Sequence, residues 1–312
     1  MKVAIVGGAG FIGTNLALAL LKEKHTVVSV DEKEEYFRNN VVREAGANIE
    51  MLQFNKDTIF DECLNGCDLV FHLISTTCPS TSNQLIAEEV SVNSSITVNI
   101  LEACIRNGVR KIIYISSGGT VYGDKKCPIR EDEKNDPINA YGIQKLVNEK
   151  LLFLYNYLYG MDYVVARLSN PYGPYQRPNG KLGALTTFVN KALNDEQINV
   201  YGDGSIIRDY IYIDDAINAI VRLAMTQCNE KIYNIGSGVG VSINELLSII
   251  ETVVGKPLNV NYLAKRSVDL QMNVLDVSRY EYEFGRLNLT SIEEGIIKLM
   301  KFMKLEKKSE IL

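Results

Sequence analysis

The chain has 312 residues, 46% apolar and 23% charged, the composition of ordinary soluble domains and long enough for roughly two of them. Lys and Arg number 33 against 38 Asp and Glu, a formal charge of −5, so no basic excess offers a footprint for nucleic acid. Two histidines (His25 and His72) exclude a three-histidine metal site, and six cysteines without a C-x-x-C pair read as reduced thiols, so no metal is expected. No apolar run reaches the roughly 18 residues of a membrane helix. The N-terminus has no signal-peptide logic. A cytoplasmic protein without a membrane partner is the expectation.

In chain order, Val3-Ala4-Ile5-Val6 reads as a short strand buried on both faces. It runs into Gly7-Gly8-Ala9-Gly10-Phe11-Ile12-Gly13, and Thr14 to Leu21 then carries a helical pattern. Thr26 to Val30 is a second strand, ending in Asp31, about 20 residues past the glycines. Asp68 to Ile74 and Lys111 to Ser117 are further strands, with helical periodicity between them from about 84 to 107. A helix from about 140 to 157 precedes the strand Tyr163 to Arg167. Strands alternating with helices predict an α/β fold, a Rossmann-type doubly wound parallel sheet. From Asn170 to Gly180 three of the seven prolines fall together, which reads as a loop. A smaller C-terminal α/β substrate-binding domain is expected over residues 169–312, after a dinucleotide-binding domain over 1–168. The strand Lys231 to Ile235 predicts a return to the first sheet around 210–236.

Glycines at 7, 10 and 13 after a strand and before a helix suit a dinucleotide. They allow a tight turn, close backbone approach to a pyrophosphate, and a helix N-terminus aimed at the phosphates. Phe11 and Ile12 complete that first helical turn. Asp31 would accept hydrogen bonds from the adenosine ribose and repel a 2′-phosphate, which favours NAD over NADP. Leu73 and Ser75, at the end of the third predicted strand, lie where the rest of the cofactor should pass. Tyr141 and Lys145 stand at i and i+4, one face of a helix. A neighbouring ammonium favours the phenolate and moves the phenol toward general-base work.

On these residues the chain resembles the extended short-chain dehydrogenases/reductases, and within them the UDP-hexose 4-epimerases. The matching stretches are Gly7 to Gly13, Asn93, Ser116 to Gly123, Tyr141-x-x-x-Lys145, Asn170-Pro171-Tyr172-Gly173, Arg208-Asp209-Tyr210-Ile211 and Arg266-x-x-Asp269. The resemblance implies NAD as cofactor, a UDP-sugar as substrate, and a homodimer through the two long helices. It implies Tyr141 as the base at the sugar 4-hydroxyl and Lys145 on the nicotinamide ribose, with Asn93 on the cofactor side. Asn170 would contact the sugar or phosphate, Arg208 and Arg266 the pyrophosphate, Asp269 the uridine ribose and Tyr201 the uracil; either arginine could instead be a solvated or domain-bridging cation. Asn273 falls where relatives carry a side chain whose bulk limits the sugar pocket. It is either that gate, small enough to admit N-acetylated sugars, or a residue outside the pocket.

One position departs from the family pattern. The usual catalytic Ser or Thr falls on Gly118, so Thr120, and after it Ser117, is the expected hydroxyl. The same stretch lacks the acidic residues that dehydratases and decarboxylases of the family place there. The expected reaction is 4-epimerisation through a transient 4-keto sugar; a nucleotide-sugar 4-reductase or dehydrogenase is the alternative.

Overall fold

The computed structural model describes residues 1–32, 41–76, 82–178, 183–265 and 270–309. Seven strands run parallel in one sheet: β1 (Lys2–Val6), β2 (Thr26–Asp31), β3 (Asn48–Met51), β4 (Leu69–His72), β5 (Lys111–Ser117), β6 (Asp162–Leu168) and β10 (Ile232–Ile235). Their order across the sheet is β10-β6-β5-β4-β1-β2-β3. The order reverses between β1 and β4, and in such a sheet ligands bind outside the carboxyl ends of the strands that flank the reversal.

Alternation along the strands gives the sheet two cores. Val3, Ile5, Phe71, Ile113 and Val164 point to one face, and Ala4, Val6, Val70, Ile112 and Val165 to the other. Helices α1 (Phe11–Lys22) and α7 (Ile213–Met225) pack together on the first face. Helices α4 (Ile86–Arg106) and α5 (Ala140–Tyr159) pack against each other on the second. Both faces are covered, which is why the strands read as continuous apolar runs.

A second, smaller assembly is built around β9 (Ile207–Tyr212). It pairs antiparallel with β11 (Gly240–Ser242) and parallel with β13 (Met272–Asn273) and β7 (Asn170–Tyr172). The segment expected to be a loop therefore begins with three residues of strand, because Asn170 and Tyr172 follow β6 directly and register with Tyr210 and Tyr212 of β9. The pair β8 (Ile198–Tyr201) and β12 (Val260–Leu263) lies parallel beside it. Among the described residues no helix is long and apolar enough to cross a membrane.

One buried ion pair ties α5 to the sheet. Arg167 of β6 and Glu149 of α5 are 1% and 2% exposed, with Nη2 to Oε2 at 2.6 Å and Nε to Oε1 at 3.1 Å. Ser116 of β5 donates to the same carboxylate at 2.5 Å. Arg167 also donates to the Glu131 carbonyl and the Asn135 side chain, so its fork is well used. Removing one partner of such a pair strands the other charge without water. Glu149→Ala should therefore lose about 3–5 kcal/mol in urea unfolding. The double variant Glu149→Leu/Arg167→Leu should lose less than that single change.

Candidate active site

The groove at the β1/β4 reversal is a cavity of about 800 Å³, lined by Gly7, Gly10, Asp31, Leu73 and Ser75 among others. Gly7 sits at φ +93°, a turn that L side chains rarely adopt. A Cβ at Gly13 would stand 2.6 Å from the Gly7 carbonyl oxygen, so only glycine lets α1 begin this close to the turn. No acidic side chain lies in the first turn of α1, and Phe11 and Ile12 occupy it with their backbone N–H groups facing the turn end of the helix. Asp31, 8% exposed, accepts from the Ala9 N–H at 2.8 Å and the Glu32 N–H at 2.8 Å. Burial raises its carboxyl above the ordinary value despite those two donors. Asn93, in α4, is buried and clamps the strand-end loop: its Nδ2 donates to Thr76 Oγ1 at 2.8 Å and its Oδ1 accepts from the Thr76 N–H at 3.0 Å.

The second half of the site lies at the end of β5. The side chain of Asn139 caps α5 by accepting from the Gly142 N–H at 2.8 Å, so Tyr141 stands in the first helical turn. The positive end of the helix there favours an anionic phenolate. Gly142 is what allows the approach: a Cβ on it would meet the Thr120 carbonyl oxygen at 2.6 Å. Lys145, one turn on, is 2% exposed and donates to the Ile115 carbonyl at 2.9 Å. Its Nζ lies 5.5 Å from the centre of the Tyr141 ring and 4.9 Å from that of Tyr114. Burial lowers its pKa to about 7, with Glu149 acting the other way. His72 of β4 is equally buried, and desolvation first, then Lys145, lowers it to about 3. It bonds Thr97 Oγ1 at 2.9 Å and packs as a strand residue.

Ser117 ends β5, half-buried. Thr120 Oγ1 is buried and has no hydrogen-bond partner among the described residues, and neither has Asn273 Oδ1. Each unpaired buried group of this kind costs about 1–3 kcal/mol. Asn170 uses its amide on the Asp209 carbonyl at 2.9 Å, and Arg208 of β9 donates to its neighbouring carbonyl at 2.8 Å. Tyr201, at the end of β8, is exposed. Arg266 and Asp269 lie outside the described residues. Asn273 is 1% exposed, and its Nδ2 donates to the Gly118 carbonyl at 3.2 Å.

The profile of the NAD dependent epimerase/dehydratase family matches residues 3–236. The chain belongs to the NAD-dependent epimerase/dehydratase family. It is 32% identical over 311 residues to a UDP-glucose 4-epimerase of Mycolicibacterium smegmatis, covering 97% of this chain and 99% of that one. The UDP-glucose 4-epimerase of Thermotoga maritima, solved with UDP-glucose, superposes with a TM-score of 0.89 at 30% identity, over 98% of this chain and 100% of that one. A UDP-glucuronic acid 4-epimerase of Bacillus cereus, solved with UDP-glucuronic acid and NAD, gives 0.89 at 29%, with the same coverage.

The cofactor of this epimerase/dehydratase family is NAD, and the groove suits it. Its volume is that of a cofactor site, its glycines leave room for backbone approach, and the buried carboxylate of Asp31 retains acceptor capacity for ribose hydroxyls. Glu32, Phe54 and Asn55 also line it and are absent from the sequence reading. The Phe54 N–H is held by Glu32 Oε1 at 3.1 Å. They follow β2 and β3, so the strand-end rule would have found them had β3 been recognised; its four residues, Asn-Ile-Glu-Met, are mostly exposed and carry one β-branched side chain.

The state of Lys145 gives a pH dependence with a definite sign. Its folded value, about 7, lies below the unfolded 10.5, so between the two unfolding takes up a proton. The contribution of this group to stability rises as pH rises through that window and is lost as pH falls through about 7. In denaturant titrations of ligand-free protein, wild type should gain on Lys145→Met as the pH is raised through that window. A constant difference would show that the ammonium is not desolvated.

Proposed function

We propose that the protein interconverts the 4-epimers of a UDP-hexose, glucose and galactose or their N-acetyl forms, with NAD retained through each turnover. The observation that carries this reading is the pairing of Tyr141, in the first turn of α5, with buried Lys145 and the unpartnered hydroxyl of Thr120. Bound NAD supplies a two-electron acceptor for the carbinol carbon and gives the electrons back. Tyr141 takes the proton of the sugar 4-hydroxyl and returns it when the sugar has presented its other face. Lys145 holds the phenolate by its charge and reaches the nicotinamide ribose. The proton it lacks above pH 7 is one that a phenolate nearby would draw back, since each charge stabilises the other. Thr120 bonds the 4-oxygen and keeps it in line with Tyr141; Ser117 is the neighbouring alternative.

Residues 169–312, apart from the return to the large sheet, form the nucleotide-sugar side. There Arg208 and Arg266 grip the pyrophosphate with guanidinium forks, Asp269 holds the uridine ribose, Tyr201 packs by the uracil, and Asn170 stands nearest the sugar. The absence of an acidic residue at 118–120 disfavours elimination and decarboxylation.

The outer face of α5 carries Phe153, Leu154, Tyr157 and Leu158, all more than 40% exposed. An apolar stripe of this kind on an outer helix suits a homodimer. Leu154→Glu/Leu158→Glu should sediment as a monomer where wild type sediments as a dimer.

Incubation with UDP-glucose, UDP-N-acetylglucosamine and UDP-glucuronate, followed by NMR, should show a 4-epimer forming with no net NADH. Tyr141→Phe should lower kcat about 10²–10⁴-fold while NAD stays bound. NADH made or consumed one for one with sugar would mark a reductase or dehydrogenase instead.

A further inference from the structure

Position 118, where the sequence departs from the pattern of the family it resembles, is closed by the fold. A Cβ there would lie 2.5 Å from Leu275 Cδ1, 2.9 Å from Cδ2 and 3.2 Å from Cγ. Contacts that short force something to move, and Leu275 has little room: it is fully buried among Val121, Tyr122 and Ile129. Its backbone is fixed as well. The Leu275 N–H donates to Asp209 Oδ2 at 3.3 Å, while Ile129 N–H donates to the Val274 carbonyl at 2.9 Å and Asp276 N–H to the Ile129 carbonyl at 2.8 Å. Asp209 is itself buried and held by Ser237 and Gly238.

The backbone at 118 is equally occupied. Its N–H donates to the Leu168 carbonyl at 2.9 Å, and its carbonyl accepts from Asn273. From the other side, α5 presses on the Thr120 carbonyl through Gly142. With position 118 filled by Leu275 and its peptide groups tied down, the hydroxyls left in the turn are those of Ser117, half-buried, and of Thr120, whose Oγ1 is buried with no partner among the described residues.

We propose that Leu275 and Asn273 act as positioning residues that decide which residue of the 117–120 turn serves the sugar 4-hydroxyl: Leu275 takes the space of a side chain at 118, Asn273 holds the Gly118 carbonyl, and the role passes to Thr120. The inference rests on the 4-epimerase reading. It explains how a chain can lack the family's hydroxyl and keep the chemistry.

The test is a rescue series in NAD-loaded protein, with turnover of UDP-glucose and the two other UDP-sugars read by NMR. Thr120→Val should lower kcat about tenfold or more with little change in KM, and Thr120→Ser should keep most of it. Adding Gly118→Ser to Thr120→Val should restore nothing. Adding Gly118→Ser and Leu275→Ala together should restore kcat at least about fivefold. Thermal melts give a readout independent of activity: Gly118→Ser should lower Tm, and Leu275→Ala should relieve part of that loss in the double variant. Asn273→Ala should lower kcat with KM nearly unchanged.

Rescue by Gly118→Ser alone, or a folded triple variant no better than Thr120→Val, would overturn the proposal; so would an Asn273→Ala change confined to KM. Tyr141→Phe, run alongside, separates the two readings. If it keeps full turnover, both fall; if it is inactive while the rescue series fails, this inference alone falls.

Discussion

A lysine ammonium shut between a helix and a sheet is the constraint around which this molecule is arranged. Among the described residues Lys145 donates to one oxygen, the Ile115 carbonyl, and has two aromatic rings beside it. Nothing in that setting repays the loss of water in full, so its proton is held weakly. The helix must therefore be anchored by other means, and Ser116, Glu149 and Arg167 provide them one turn further along. The strong pair fixes α5; the weak charge is left for chemistry. Were the two reversed, with Lys145 fully paired, the cation would have no reason to respond to a phenolate forming on Tyr141.

The same seating of α5 brings both halves of the site into register. β5 ends at Ser117, and the turn after it is gripped between α5 and the strand β13 of the smaller assembly. The groove for NAD opens on the far side of the neighbouring strand β4, at the reversal between β1 and β4. Parallel strands end on the same edge of the sheet, so the cofactor groove and the Tyr141 turn share that edge without any special loop to join them.

What the sequence discloses depends on how local the physics is. The glycine turn, Asp31 and the Tyr141–Lys145 pair each lie within one strand–turn–helix or one helical turn, and all were legible. The parallel sheet was legible because burial on both faces writes itself as apolar runs. β3 was not, being a short exposed edge strand stabilised by its neighbour rather than by its own residues. β7 was hidden by a proline in a segment whose partner lies 40 residues on. Asn93 was named only through the resemblance, and its clamp on Thr76 needs the helix and the strand end brought together. Leu275 left no trace at all: its meaning is a contact with position 118, and only the register of β13 on β9 brings the two together.

That contact bears on how a family keeps one reaction while its residues drift. A hydroxyl at the end of β5 is a chemical requirement, yet the residue that supplies it is a packing outcome. Filling the space over position 118 from a distant strand is compatible with losing the side chain there, provided another hydroxyl in the same turn is left buried and unpaired. Thr120 meets that condition because Gly142 admits α5 against its carbonyl while its Oγ1 finds no partner among the described residues. An unsatisfied buried oxygen costs stability, and in the proposed reaction the sugar 4-hydroxyl would remove that cost. In the proposed reading, keeping the chemistry and losing the residue are consistent, because the quantity under constraint is the place of one unpaired oxygen relative to Tyr141, which Leu275 and Asn273 help to set.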